Sequence, residues 1–168
     1  MSPVRAPRLE RALIALGSNI GDKIATLRNA VEAIDRLPGT ELRAKSGIYR
    51  TPPWGKTDQD WFANAVIAVD TLLSPDEALD ACLAIEAAMG RLRRERWGPR
   101  VIDLDLLTHG DHVLRSERLT LPHPRIAERA FVMVPLMDVA PDLRLGGETL
   151  HALLARADAT GIERIDAL

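Results

Sequence analysis

The chain has 168 residues, of which 46% are hydrophobic, and this length and composition predict one globular domain over residues 1–168. Its 22 basic and 24 acidic residues leave a net charge of −2, which argues against a general nucleic-acid binder because such proteins carry a basic excess. The single cysteine, Cys82, excludes an internal disulfide and favours a reducing compartment.

Residues 1–9 carry two prolines and two arginines and are expected to form a flexible leader. They lack the apolar segment of a signal peptide, and no apolar run in the chain is long enough to cross a bilayer. We therefore expect a cytoplasmic protein that does not bind membranes.

The first half of the chain predicts a strand, a helix and two further strands. Residues 12–16 are all apolar and end at Gly17, as expected of a buried strand. Apolar residues then recur at helical spacing over residues 24–37. Residues 41–50 and 62–70 follow as strands, joined by a loop rich in proline, glycine and aspartate.

The second half predicts a helix, a strand and shorter appended elements. Ser74 begins a capping box, and the helix that it opens should run to about Gly90. A strand follows over residues 101–107, with helical stretches near 127–138 and 148–156. The order of the main elements is that of a ferredoxin-like β-α-β-β-α-β core, so we expect an α+β fold with helices packed on an antiparallel sheet.

Two aspartates, Asp103 and Asp105, stand one residue apart on the last predicted strand and should project from the same face. Leu104 and Leu106 alternate with them, so the carboxylates should lie in a partly buried groove, where unpaired charge is costly. Mg²⁺ is commonly held by one or two carboxylates together with substrate phosphates. The pair therefore indicates a metal site, although a solvated strand face is the alternative for such a pair without further context.

An arginine-rich segment leads into this strand and contains Arg91, Arg93, Arg94, Arg96 and Arg100. Guanidinium groups match the geometry of phosphate oxygens, whereas the alternative, a solvated helix end, extends to Arg91 and Arg93 but does not explain Arg96 and Arg100. Carboxylates and arginines together indicate phosphoryl transfer. The chain lacks both the Walker pattern and a G-x-G-x-x-G loop, which disfavours an ordinary P-loop or kinase-type ATP site.

Aromatic residues are rare in this chain, yet Trp54, Trp61, Phe62 and Tyr49 stand close together in sequence. This local enrichment favours a flat apolar ligand, with a purely structural role for the tryptophans as the alternative. The histidines are less informative. His109 and His112 flank a Gly-Asp turn and are expected at the surface, and His123 lies in a stiff Pro-His-Pro segment.

Several separate segments resemble, in order, the 6-hydroxymethyl-7,8-dihydropterin pyrophosphokinase family, and the likeness extends over roughly residues 11–145. The matching segments are A-L-G-S-N from residue 15, Y-R-T-P-P from 49, F-A-N from 62, R-W-G-P-R-x-x-D-L-D from 96, L-P-H from 121 and R-A-F from 129. The segment from residue 96 is the most specific of these. Phe62, Leu83 and Pro124 differ from the residues that some members carry at these positions.

The resemblance implies a transferase of folate biosynthesis that moves diphosphate from ATP to the hydroxymethyl group of the pterin and releases AMP. It implies two Mg²⁺ ions held by Asp103 and Asp105, with Arg91 and Arg100 as the other catalytic residues. The residues that it implies for ATP binding are Glu86, Arg93, Arg96, Trp97, Thr120 and His123. Those that it implies for the pterin slot are Thr51, Pro52, Trp54, Phe62, Asn64 and Phe131.

Two other functions remain open at the level of sequence. A two-metal nucleotidyltransferase would use the same metal chemistry, but its carboxylate pair would follow soon after Gly17-Ser18 and here stands far along the chain. A non-catalytic RNA-binding ferredoxin-like module would need aromatic residues on its central strands. We expect a monomer whose partners are the small molecules ATP and hydroxymethyl dihydropterin, with no nucleic acid.

Overall fold

The computed structural model describes residues 6–53, 58–90 and 101–168, which form ten strands and four helices. The strands are β1 (Glu10–Ser18), β2 (Thr40–Lys45), β3 (Gly47–Thr51), β4 (Phe62–Thr71), β5 (Asp103–His109), β6 (Leu114–Arg115), β7 (Thr120–Leu121), β8 (Arg144–Leu145), β9 (Glu148–Thr149) and β10 (Glu163–Ala167). The helices are α1 (Lys23–Asp35), α2 (Pro75–Met89), α3 (Ala130–Val139) and α4 (Leu150–Ala155), with a 3₁₀ turn at Ile126–Glu128.

The main sheet has six strands, in the order β10-β3-β4-β1-β5, with β2 also paired to β4. Every pairing within it is antiparallel. The prediction of an α+β fold with an antiparallel sheet is therefore confirmed. The central strands β1 and β4 pair along their whole length and place the glycine end of β1 next to the start of β5.

The single strand predicted over residues 41–50 is wrong in one respect, because the chain breaks it into β2 and β3 at Ser46. The buried Ser46 hydroxyl donates to the Gly47 carbonyl oxygen at 2.7 Å and accepts from the Val66 amide at 2.8 Å. A side chain thus replaces part of the strand ladder at this point. As a result β2 and β3 pair with different parts of β4.

Helices cover both faces of the sheet. On one face, α1 and α2 pack on a core that includes Leu16, Ile67 and Leu106. On the other face, α3 and α4 pack on a second core that includes Val66 and Leu107. Because β1 and β4 are buried on both sides, their sequences read as nearly continuous apolar runs and not as alternating ones.

The capping box predicted for α2 is present. The Ser74 hydroxyl accepts from the Glu77 amide at 3.2 Å, and the Glu77 carboxylate accepts from the Ser74 amide at 3.0 Å. Together these bonds satisfy two backbone donors at the start of the helix, and α2 ends at Gly90 as expected.

The C-terminal elements extend the predicted core. The two short helical stretches form as α3 and α4, the first a few residues later than predicted because the 3₁₀ turn precedes it. Strand β10 is an edge strand on β3 that the sequence did not indicate, since its five residues are all exposed and mostly charged. No helix within the described ranges is long and apolar enough to span a membrane.

Candidate active site

A row of three residues crosses the sheet at one end. Gly17 on β1 lies opposite Asn64 on β4 and opposite Asp103 on β5. Alternation along the strands places Asn64 and Asp103 on the sheet face that α3 covers, since Val66 and Leu107 of these strands belong to the core beneath α3. Gly17 has no side chain, so a gap remains between the amide and the carboxylate.

A cavity of about 180 Å³ occupies this gap. Its lining residues are Ala15, Leu16, Gly17, Thr51, Pro52, Phe62, Asn64, Asp103, Asp105, Arg129, Phe131 and Val132. The cavity combines two aromatic rings with a few polar groups, which is the usual composition of a small-molecule site. Five of the six residues predicted for a pterin slot line it, together with both aspartates.

Asn64 is held in one orientation by its neighbours. It is buried, and its amide nitrogen donates to the Thr51 hydroxyl at 2.6 Å. Its carbonyl oxygen lies over Gly17, where a Cβ atom would come within 2.9 Å of it. An asparagine side chain offers donors and an acceptor, so a fixed Asn64 can recognise the polar edge of a flat ring.

Asp103 and Asp105 are partly exposed and project toward the cavity, while Leu104 and Leu106 between and after them are buried beneath α2. This is the arrangement that the alternation predicts. The Asp105 carboxylate lies 3.9 Å from the Arg129 guanidinium. Two carboxylates on one face beside a cavity provide the hard oxygen donors that Mg²⁺ prefers.

Arg129 is a site residue that the sequence reasoning missed. It caps the start of α3, lines the cavity and lies with its guanidinium carbon 5.7 Å from the centre of the Phe131 ring. Its Nε atom is buried without a hydrogen-bond partner among the described residues. The R-A-F segment was the available signal, but only its phenylalanine was given a role.

A second cavity, of about 260 Å³, adjoins the first on the outer side of β5. Its lining residues are Leu79, Leu104, Asp105, Leu106, Ser116, Glu117, Arg118, Leu119, Thr120, His123 and Pro124. Thr120 and His123, both predicted to bind ATP, lie here together. Asp105 lines both cavities, so ligands bound in the two would meet at its carboxylate.

His123 is oriented by its own chain. Its amide donates to the Leu107 carbonyl oxygen at 2.8 Å, and its Nδ1 accepts from the Arg125 amide at 3.2 Å. Burial lowers the pKa of His123, and the cationic Arg129 and Arg125 lower it further, against a raising effect of Asp105. Because Nδ1 accepts from the Arg125 amide, the neutral ring carries its proton on Nε2, where it is available to a phosphate or base acceptor.

Glu86, the remaining predicted ATP residue among the described ones, makes a structural contact. Its carboxylate accepts from the Leu104 amide at 3.1 Å, which satisfies a donor on the outer edge of β5 and ties α2 to that strand. Trp54 and the segment that contains Arg91, Arg93, Arg96, Trp97 and Arg100 lie outside the described residues.

Two of the four clustered aromatic residues have structural contacts away from the cavity. The Tyr49 hydroxyl donates to Asp138 of α3 at 2.7 Å, and burial, with that bond, raises the pKa of Tyr49 to about 12. Trp61 lies between the Lys23 ammonium, 4.2 Å from its ring centre, and Arg50.

The prediction that His109 lies at the surface is wrong, because its side chain is buried.

Comparison with known proteins identifies the family to which this chain is similar. A family model described as 7,8-dihydro-6-hydroxymethylpterin-pyrophosphokinase matches residues 13–141. The chain is 56% identical over 158 residues to the 2-amino-4-hydroxy-6-hydroxymethyldihydropteridine pyrophosphokinase of Methylorubrum extorquens, covering 94% of this chain and 100% of the relative. It is 47% identical to the protein of the same name from Pseudomonas aeruginosa, covering 94% of this chain and 98% of the relative.

The fold also matches solved structures. The crystal structure of a Plasmodium falciparum HPPK-DHPS triple mutant with STZ-DHP superposes with a TM-score of 0.73 at 16% identity. The match covers 89% of this chain and 43% of that one, so this chain spans less than half of that longer protein. At such low identity the likeness concerns the fold alone.

Proposed function

The chain belongs to the 7,8-dihydro-6-hydroxymethylpterin-pyrophosphokinase family, and we propose how its residues carry out that family's reaction, the transfer of diphosphate from ATP to the hydroxymethyl group of the dihydropterin in folate biosynthesis. We propose that the pterin lies in the cavity over Gly17 and that ATP lies in the cavity beside Thr120 and His123. This placement of the two substrates rests on the observation that Asp105 lines both cavities.

The pterin cavity supplies what a flat ring with a polar edge requires. Phe62 and Phe131 present aromatic surfaces, and Asn64 presents an amide whose orientation Thr51 fixes. With the ring edge at Asn64, the rest of the ligand extends across Gly17 toward Asp103. That orientation brings the hydroxymethyl group to the carboxylates.

The donor set at Asp103 and Asp105 fits Mg²⁺, and we propose that these two residues hold two such ions together with the ATP phosphates. Bound Mg²⁺ neutralises phosphate charge and orients the reacting oxygens. Arg129 lies next to Asp105 and adds positive charge on the pterin side. Its position suits contact with the transferred diphosphate.

In the proposed reaction the pterin hydroxyl oxygen attacks the β-phosphorus of ATP. The new O–P bond forms as the bond between the β-phosphorus and the oxygen bridging to the α-phosphate breaks, AMP leaves and the hydroxyl proton passes to solvent. Thr51 and Asn64 fix the acceptor, and we propose that His123, which lines the second cavity and whose Nδ1 accepts from the Arg125 amide, donates a hydrogen bond from Nε2 to the nucleotide. Catalysis then comes from positioning and charge neutralisation, as is usual in phosphoryl transfer.

Product identity tests this function directly. The protein, ATP, Mg²⁺ and hydroxymethyl dihydropterin are incubated together, and the nucleotides are separated by chromatography. We expect AMP in equal amount to the pterin diphosphate, and no product when Mg²⁺ is chelated. ADP as the nucleotide product would contradict diphosphate transfer, and free diphosphate would indicate nucleotidyl transfer.

A binding experiment tests the assignment of the two cavities. Calorimetry with the pterin alone and with a non-hydrolysable ATP analogue alone should show that Asn64→Ala weakens only the former. Thr120→Ala is the matched change in the other cavity and should weaken only the latter. Equal losses for both ligands in either variant would contradict the separation of the two cavities at Asp105.

We propose that the protein acts as a monomer. We also propose that it acts in the cytoplasm, where its lone thiol, Cys82, stays reduced; that thiol is buried, and burial raises its pKa to about 12. Analytical ultracentrifugation and cell fractionation test these two proposals.

A further inference from the structure

A second group of metal-binding side chains lies at the opposite end of β1 and β5. Glu10, His109 and His112 each offer one ligand atom, and these atoms all lie within 4.8 Å of one another. We call these three residues the Glu-His-His cluster. His109 lies four positions after Asp105 and six after Asp103 along β5, so at about 3.3 Å per residue it is about 13 Å from the nearer carboxylate residue and about 20 Å from the farther one.

Within the Glu-His-His cluster, the hydrogen bonds of His109 show which of its ring nitrogens is available as a ligand. Its ring is buried, and its Nε2 lies 2.8 Å from the Leu73 carbonyl oxygen. A carbonyl oxygen only accepts, so Nε2 carries a proton and donates. In the neutral ring Nδ1 then bears a lone pair, and this atom is buried without a hydrogen-bond partner among the described residues.

The Nδ1 lone pair faces a carboxylate. Glu10 Oε2, on a partly exposed side chain, lies 3.9 Å from this buried atom, too far for a hydrogen bond, and two electron-rich atoms that face each other repel. A cation between them removes the repulsion and satisfies both atoms. The partly exposed His112 completes the group, with its Nε2 3.1 Å from the Glu10 carboxylate.

The backbone makes room for this arrangement. Residues 109–112 form a turn in which the His112 amide donates to the His109 carbonyl oxygen at 3.1 Å. Gly110 in that turn has a φ of +52°, and a Cβ atom there would overlap Glu10 Oε2. The glycine therefore allows the carboxylate to lie between the two imidazoles.

We propose that the Glu-His-His cluster binds Zn²⁺ through Glu10, His109 Nδ1 and His112 Nε2, with the proton that His112 Nε2 donates to Glu10 released to solvent as the ion binds. Two imidazoles and a carboxylate are a ligand set found for zinc with one position left for water. Ligating histidines typically donate their other ring N–H to a carbonyl or carboxylate, as His109 does to Leu73. Donors about 2.1 Å from a tetrahedral ion lie about 3.4 Å apart, close to the spacings here.

The bound ion would link the start of β1 to the turn after β5, and through His109 to the loop before α2. Glu10 begins β1, the histidines flank the turn after β5, and Leu73 precedes the capping box of α2. The fourth position would open toward a surface cavity of about 760 Å³ that residues 6–10 and 72–75 line in part. The role is one of stabilising the fold at the end away from the reaction.

Calorimetric titration of the metal-free protein with zinc sulfate, in excess Mg²⁺ to occupy the carboxylate pair, tests the proposal. We expect one equivalent of Zn²⁺ to bind the unaltered protein. Glu10→Gln and His112→Ala each remove one ligand without cutting the buried bond of His109 to Leu73, and each should weaken binding at least tenfold. The matched control is His151→Ala, which removes an exposed histidine outside the cluster and should bind as the unaltered protein does.

Two further measurements distinguish zinc binding at the Glu-His-His cluster from zinc binding at the carboxylate pair. Zinc should raise the melting temperature of the unaltered protein but not that of His112→Ala, since only a ligand that favours the folded state stabilises it. Zinc binding should survive in Asp105→Asn. The proposal is overturned if no stoichiometric zinc binds, if His112→Ala and Glu10→Gln bind as tightly as the unaltered protein, or if Asp105→Asn abolishes binding.

Discussion

The two ends of the β1–β5 strand pair use the same construction for different chemistry. At one end Gly17 leaves room for Asn64 beside a carboxylate pair, and at the other Gly110 leaves room for Glu10 beside two imidazoles. In each case a glycine lets a polar side chain approach the backbone closely. The difference lies in the donors, since oxygen atoms alone suit Mg²⁺ whereas imidazole nitrogen suits zinc.

The two ends also differ in how their ligating groups are held. The carboxylate end borders two cavities that share Asp105, whereas at the far end Glu10 and His112 line a surface cavity and His109 is buried against the backbone of Leu73. Carboxylates between two cavities suit a site that substrates enter, and a ligand held by a buried hydrogen bond suits a site that stabilises the fold. If this contrast is correct, changes at the two ends should affect different measurements.

The largest effect is expected from Asp103→Asn and Asp105→Asn. Each change keeps the shape of the side chain and removes a charged ligand, which should lower kcat by about 10²–10³. Steady-state assays at ordinary Mg²⁺ measure this loss, and circular dichroism should show an unchanged fold. The control is Asp142→Asn, an exposed aspartate outside both cavities. Near-normal turnover in either site variant would rule out the metal role.

A smaller effect is expected from Asn64→Ala. The ring edge of the pterin loses a buried hydrogen-bond partner, which should weaken pterin binding by about 1–3 kcal/mol. Thr51→Val keeps the bulk of the neighbouring side chain but removes the acceptor that orients the amide, so it should weaken pterin binding in the same direction and by less. Calorimetry with the pterin ranks the two. A larger loss for Thr51→Val would contradict direct contact by Asn64.

Gly17→Ala should weaken pterin binding by about tenfold, which corresponds to about 1.4 kcal/mol, because the added Cβ atom would press on the Asn64 carbonyl oxygen from 2.9 Å. A double-mutant cycle sharpens the interpretation. In an Asn64→Ala background the same glycine change should cost much less, since the atom that it presses on is gone. An equal cost in both backgrounds would mean that Gly17 contacts the ligand itself.

The smallest effect is expected at the far end, where Ser74→Ala removes half of the capping box of α2. It should lower the free energy of unfolding by about 1 kcal/mol, whereas Ser74→Thr keeps a capping hydroxyl and should cost less. Urea denaturation measures both changes. If Ser74→Ala lowered kcat of the folded enzyme, the two ends would not be independent.

Much of the active site could be predicted because it depends on local rules. Strand alternation alone places Asp103 and Asp105 on one face, and the capping box alone begins α2. The motifs around Thr51, Asn64 and Phe131 led to residues that do line one cavity. Each of these inferences needs only the spacing of residues a few positions apart or a match to a family pattern.

The parts that were missed depend on contacts between distant segments. The place of Gly17 between Asn64 and Asp103 follows from the pairing of three strands, and no short stretch of sequence contains it. His109 was expected at the surface because a Gly-Asp turn follows it, but the loop before α2 covers it. Strand β10 lacks an apolar pattern because it lies exposed at the sheet edge.

The row Asn64–Gly17–Asp103 has a consequence for inhibitor design. Neighbouring strands lie about 4.8 Å apart, so the backbones of Asn64 and Asp103 are separated by roughly 10 Å, and this spacing depends on main-chain hydrogen bonds and not on side chains. Substitutions can change how tightly either end is held but cannot change that separation. A compound that joins a ring-edge mimic to a metal-binding group can therefore be built with a linker of one fixed length.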